Sequence, residues 1–149
     1  MIERPAAPLL IVEDSEEDFQ AFVLALRKAG FSNPVHRCAD GDEALDFLYN
    51  RGMYAEGGSA PRPGVVILDL NLPGTDGRTV LNEMKSQDNL RTIPVIVFTT
   101  SNERRDVDAC YRSGANAYIQ KPMELRAFME AVSLVGQHWC RLTTLPAPA

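Results

Sequence analysis

The fold class this sequence predicts is an α/β doubly wound sandwich, a five-stranded parallel sheet with helices on both faces. Three observations predict it. Five apolar runs bounded by turn residues recur along the chain. Strand starts stand about 20 to 30 residues apart with a helical segment between each pair, the length of a βαβ unit. Three of the runs are nearly continuous Val, Ile and Leu, as in strands buried on both faces.

The first strand covers Leu9 to Val12. In the helix after it, Phe19, Phe22, Val23 and Leu26 fall at i, i+3, i+4 and i+7 and so share one face. Ser15 with Asp18 three residues on resembles a capping box, whose side chains bond the unpaired N–H groups of a helix start. Gly30 stands where a helix C-cap belongs. The second strand is Val35 to Cys38, and Asp40 with Glu43 opens the second helix in the same way as Ser15 with Asp18. The stretch RGMYAEGGSAPRPG, Arg51 to Gly64, is rich in Gly and Pro and reads as an extended surface loop. The third strand is Val65 to Leu68, with Asp76 as the cap of the third helix. The fourth is Pro94 to Phe98, Gly114 takes another C-cap position, and the fifth is Ala117 to Ile119.

The last helix carries Leu125, Phe128, Met129, Val132 and Trp139 on one stripe and Ala127, Ala131 and Leu134 on a second. A helix apolar on two sides usually buries both, so two readings follow: a homodimer through this helix or its neighbouring strand, or a wider contact with the core. The layout read from the chain is an N-terminal arm at 1–7, a domain at 8–140 and a flexible tail at 141–149.

A chain of 149 residues fits one domain. With 45% hydrophobic and 23% charged residues it has the balance of a globular protein. The net charge is −5 and no block of Lys or Arg forms a phosphate-tracking stripe, which argues against nucleic-acid binding. The apolar runs are far shorter than the roughly 18 to 20 residues that cross a bilayer. The N-terminus MIERPAAPLLIVED lacks the apolar core and cleavage site of a secretory signal, so the expected location is cytoplasmic. Cys38, Cys110 and Cys140 are odd in number and far apart, as reduced thiols are. His36 and His138 are isolated from other ligand types and are assigned no chemistry.

In open α/β sheets the site lies at the carboxyl ends of the strands. That rule selects Glu13 and Asp14 after the first strand, Asp69 after the third, Thr99 and Thr100 after the fourth and Lys121 after the fifth. Three carboxylates together repel unless a cation sits among them. Magnesium suits hard oxygen ligands: it takes one or two carboxylates, keeps waters and completes its shell with phosphoryl oxygens. Asp14 and Asp69 could ligate directly, with Glu13 acting through water. A carboxylate so placed can also be a nucleophile that forms an aspartyl-phosphate, and Asp69 is the best candidate. The Lys121 ammonium would neutralise charge on the transferring oxygens, and the Thr99 hydroxyl would bond one of them. Taken alone, a strand-terminal Asp is more often a turn or cap residue; the convergence of Glu13, Asp14, Thr99 and Lys121 reverses that balance.

Together, ED after the first strand, LDLNLPGTDG after the third, FTT after the fourth and Y-x-x-KP around the fifth resemble the receiver domain of bacterial two-component response regulators. The resemblance runs from about Leu9 to Trp139. It implies a flavodoxin-like fold with strand order 2-1-3-4-5, and a phosphoryl group accepted from a partner histidine kinase. Asp69 matches the phosphoacceptor, Glu13 and Asp14 the acidic metal pair, and Asn71 the residue that lends a backbone carbonyl to the metal. Lys121 matches the phosphate-binding lysine, and Thr99 with Tyr118 the pair whose rearrangement transmits phosphorylation. By residue type alone, Tyr118 is as well explained as a half-buried sheet aromatic.

The implied cofactor is magnesium, with manganese or calcium as substitutes. The chemistry is self-directed phosphotransfer and autodephosphorylation rather than turnover of another substrate. In the family the Lys121–Pro122 bond is usually cis. The Arg51 to Gly64 insertion, the TTS sequence and the helix ending in Trp139 further resemble the single-domain regulators paired with bacterial phytochrome kinases. The tail is too short for an output domain, so the expected output is contact with another protein or with a second copy.

Three rivals are set apart by residues. A flavin carrier needs a Gly, Ser and Thr phosphate loop where this chain has VEDSEED. A scaffold that is never phosphorylated would not need Asp69, Lys121 and Thr99. A phosphatase of haloacid-dehalogenase type needs an acid where Asn71 stands.

Overall fold

In a computed structural model, which describes residues 6–147, the five strands are β1 (Leu9–Val12), β2 (Val35–Cys38), β3 (Val65–Leu68), β4 (Val95–Thr99) and β5 (Ala117–Gln120). The helices between and after them are α1 (Glu16–Lys28), α2 (Gly41–Tyr49), α3 (Gly77–Ser86), α4 (Arg104–Arg112) and α5 (Leu125–Val135). Residues 1–5 of the arm and 148–149 of the tail lie outside the described residues. The strands pair in parallel, in the order β2-β1-β3-β4-β5 that the resemblance implies.

The alternation of side chains along each strand divides the core in two. Leu10, Val12, Val66, Leu68, Val95 and Val97 enter one cluster, under α2 and α3. Leu9, Ile11, Val65, Ile67, Ile96 and Phe98 enter the other, under α1 and α5. Phe98 is the pivot of the second layer, edge-on to Phe22 of α1 at 5.6 Å and to Phe128 of α5 at 5.3 Å. β1, β3 and β4 are buried throughout, whereas the edge strands β2 and β5 are half-buried, which is why their sequences VHRC and AYIQ mix polar with apolar residues.

The helix ends follow their local signals. Asp40 accepts from the Glu43 N–H and Asp76 from the Arg78 N–H. Gly30 and Gly114 follow the last turns of α1 and α4 at φ of 91° and 107°, a conformation that glycine adopts without strain. The Ser15 box forms only by half: Ser15 Oγ accepts from the Asp18 N–H, but the Ser15 N–H donates to Glu13 Oε2 at 3.1 Å instead of to Asp18.

The Arg51 to Gly64 stretch is largely exposed but tied down. A single 3₁₀ turn at Gly52–Tyr54 brings the Tyr54 hydroxyl to Glu43 at 2.6 Å and its ring to Phe47 at 5.0 Å. In α5, Phe128, Val132 and Val135 make the buried stripe, while Leu125 and Leu134 stand out in solvent. The helix continues as a π-helix over Gly136–Leu142, which turns more slowly and shifts the stripe after Val135, bringing Trp139 against the second cluster. Leu145 of the tail packs there too.

Among the described residues no peptide bond is cis, so the Lys121–Pro122 bond is trans, contrary to the expectation. The two X-Pro isomers differ by only about 0.5–1 kcal/mol, so local contacts choose between them. No helix among the described residues is long and apolar enough to cross a membrane.

Candidate functional site

The sheet brings four strand ends to one edge. Glu13 follows Val12, its N–H held by the Cys38 carbonyl of β2, and Asp69 follows Leu68, its N–H held by the Val12 carbonyl of β1. Thr99 ends β4, and its carbonyl accepts from the Lys121 N–H at 2.7 Å just past β5. Backbone pairing therefore fixes all four before any side-chain contact is made. Glu13, Asp69, Thr99 and Lys121 are all buried, and for the three charged ones this is an unusual fate, tolerated when they pair.

The pairing centres on Lys121. Its Nζ lies 2.5 Å from Glu13 Oε1, 2.9 Å from Asp18 Oδ2 and 3.1 Å from Asp69 Oδ2. Burial alone would discharge an ammonium, but the bonds to Glu13 and Asp18 and the charge of Asp69 outweigh it and raise the Lys121 pKa above the ordinary lysine value. Burial pushes the Glu13 carboxyl up to about 7, against the pull of Lys121 and with the Asp69 charge adding to the rise.

The second oxygen of Asp69, Oδ1, accepts from the Leu70 N–H at 2.8 Å. Oδ2 is thereby turned to Lys121. Glu13, Asp14 and Asp69 each offer a carboxylate oxygen, all within 4.8 Å of one another, with Asp14 exposed at the mouth. Such a donor set of hard oxygens fits magnesium or manganese. A second sign of fit is Thr99: its hydroxyl is buried and has no hydrogen-bond partner among the described residues. Asn71 is exposed in the turn that follows, where Gly77 N–H closes on the Leu70 carbonyl.

Tyr118 is half-buried against the first core cluster, and its hydroxyl donates to the Ser101 carbonyl at 2.9 Å. Ser101 Oγ donates to Asp106 Oδ2 at 2.7 Å, and Asp106 is held by Arg78 at 2.9 Å. The bonds from Arg78 and Ser101 keep the Asp106 carboxyl below the usual carboxylate range. A continuous line of polar contacts thus joins the first turn of α3, the β4–α4 loop and Tyr118.

All the residues singled out at the strand ends except Thr100 and Asn71 have a defined place in this cluster. Sequence reasoning missed Asp18, which it assigned to a cap, and the Arg78–Asp106–Ser101 line. The unusual density of acids in VEDSEED was the one available signal for Asp18. His36 and His138 lie outside the cluster, each beside an aromatic ring, Phe47 and Trp139 respectively.

The family described as response regulator receiver domain matches residues 9–133. The response regulator Rcp1 of Synechocystis sp. is 37% identical over 143 residues, 96% of this chain and 95% of that protein. The crystal structure of the Mn(2+)-bound form of Rcp1 superimposes with a TM-score of 0.89, covering 95% of this chain and 99% of that one. The phosphorylated cyanobacterial phytochrome response regulator RcpA, 36% identical with the same coverage, also gives 0.89. The bacteriophytochrome response regulator AtBRR is 39% identical, with a TM-score of 0.74 over 95% of this chain and 100% of that one.

Proposed function

The chain belongs to the response regulator receiver domain family, and on that premise we propose that Asp69 takes up a phosphoryl group from the phosphohistidine of a partner histidine kinase. An Asp69 carboxylate oxygen forms the new O–P bond as the P–N bond breaks, and the imidazole leaves with the electron pair. Water later attacks phosphorus, the acyl-phosphate O–P bond breaks, and inorganic phosphate departs, restoring the carboxylate.

The observation that carries this reading is the Asp69–Lys121 contact at 3.1 Å beside the unpartnered Thr99 hydroxyl. Leu70 N–H sets the plane of the Asp69 carboxylate. In this reading Lys121 keeps an N–H on the phosphoryl oxygens as charge spreads over them, and Thr99 Oγ1 donates to one of them. Glu13, Asp14, Asp69 and the backbone carbonyl of Asn71 would hold a divalent cation, magnesium first with manganese or calcium as substitutes. When bound it supplies charge that neutralises the phosphoryl oxygens.

With Thr99 drawn to the phosphoryl group, its movement and that of Tyr118 form the switch, and Tyr118 acts through its bond to Ser101 on the β4–α4 loop. The chemistry is self-directed, with no second substrate turned over. The likeness to RcpA and AtBRR supports a phytochrome as the kinase and light signalling as the setting. The receiver unit is assigned to 8–140, between an arm at 1–7 and a tail at 141–149. The output is a change in protein contacts, including a homodimer through the terminal helix region, and the location is the cytoplasm.

Asp69→Asn is expected to abolish labelling of the chain by acetyl phosphate with magnesium, read by mass spectrometry. Label retained at full level on another side chain of the variant overturns the assignment.

A further inference from the structure

We propose that Asp18 is a positioning residue for phosphoryl transfer to Asp69: it anchors the Lys121 ammonium from outside the metal-ligating acids. The inference rests on the phosphoacceptor reading above. An ammonium has three N–H donors, and in this chain each of the three Lys121 partners is a carboxylate: Glu13, Asp18 and Asp69. The three partners are not equivalent. Glu13 and Asp69 also belong to the acid trio whose oxygens converge within 4.8 Å. They must share those oxygens with any cation or phosphoryl group the trio receives, and the Asp69 carboxylate becomes part of an acyl phosphate once the phosphoryl group is transferred. Asp18 is outside the trio, so its contact with Lys121 persists through both events.

The local structure sets Asp18 free for this task. In a complete capping box the acid at the third helical position bonds back to the N-cap N–H. In this chain the Ser15 N–H is taken by Glu13 Oε2 at 3.1 Å, while Ser15 Oγ still fixes the Asp18 backbone at 3.2 Å. The cap thus holds the Asp18 main chain in place and leaves its carboxylate to reach Lys121, 103 residues away in sequence. The Asp18 side chain is 39% exposed where Lys121 is 5% exposed, so the anchor stands on the solvent side of the ammonium and closes it into the site. A charged bond held ready in this way spares the ordering of a flexible lysine at the moment of transfer.

The test uses the full chain with acetyl phosphate and magnesium, following label on Asp69, together with ¹⁵N NMR of the lysine ammonium groups, in which a firmly held Lys121 exchanges its protons slowly. Asp18→Asn keeps the shape and removes the charge; it is expected to slow labelling about tenfold and to speed exchange at Lys121 by a similar factor. Asp18→Glu restores most of both. Glu17→Gln removes the same charge from an exposed neighbour in the same turn and leaves both unchanged. If Asp18→Asn labels at the wild-type rate, slows labelling without faster Lys121 exchange, or is matched by Glu17→Gln, the anchoring role is overturned while the phosphoacceptor reading stands. A wild-type chain that takes no label on Asp69 overturns that reading, and this inference with it.

Discussion

Thr99 is wholly buried, and its hydroxyl donates to nothing among the described residues. An unsatisfied buried hydroxyl costs about 1–3 kcal/mol. Thr99→Val puts a methyl in nearly the same volume, so the unphosphorylated chain should gain stability, a rise of about 4 °C in Tm per kcal/mol by calorimetry. The same change should slow acetyl-phosphate labelling of Asp69 at least about tenfold if Thr99 is the proposed donor to the developing phosphoryl charge. A lower Tm with unchanged labelling would remove Thr99 from the site. That Thr99 belongs at the strand end can be read from FTT after an apolar run. That its hydroxyl lacks a partner depends on everything packed around β4, and no local pattern carries it. Asp18 is the converse case, a residue whose cap signal was real for its backbone and silent about its carboxylate.

At the scale of elements, the turn from Asp69 to Gly77 is held between two helix starts. A Cβ added to Gly77, first residue of α3, would strike the Asp69 carbonyl and the Leu70 Cα, and one added to Gly41, first residue of α2, would strike the Thr75 carbonyl. Both obstacles are backbone, so neither can swing aside. Gly77→Ala is therefore expected to cost about 2 kcal/mol or more in a urea melt and to weaken labelling at Asp69, because the turn must shift to admit the methyl. A variant as stable as the wild type would show that the turn yields freely. The caps at Asp40 and Asp76 and the glycines at Gly30 and Gly114 were legible because cap chemistry acts within a few residues. The Arg78–Asp106 pair joins two helices 28 residues apart in sequence, and only their packing brings them together.

For the whole molecule, the two-sided apolar pattern of α5 divides into a buried stripe and an exposed remainder. Leu134 is 63% exposed, beside Ala117 and Ile119 of the edge strand β5. An edge strand with an exposed leucine beside it is a surface that proteins usually cover, and it supports the proposed homodimer. Sedimentation at tens of micromolar is expected to show a dimer, and Leu134→Glu a folded monomer. A wild-type chain that sediments as a monomer under those conditions removes the dimer from the proposal.

By itself the sequence determined the order and kind of the elements, the parallel sheet with its buried central strands, and which side chains emerge at its carboxyl edge. Each of these follows from short-range rules: periodicity, capping, and the alternation of side chains along a strand. Tertiary structure decided how those side chains pair. Only the folded sheet sets Lys121 among Glu13, Asp18 and Asp69, leaves Thr99 Oγ1 without a partner, and exposes Leu134 while burying Val135. The reason is that pairing and burial belong to distances between residues far apart in the chain, which a local pattern does not contain.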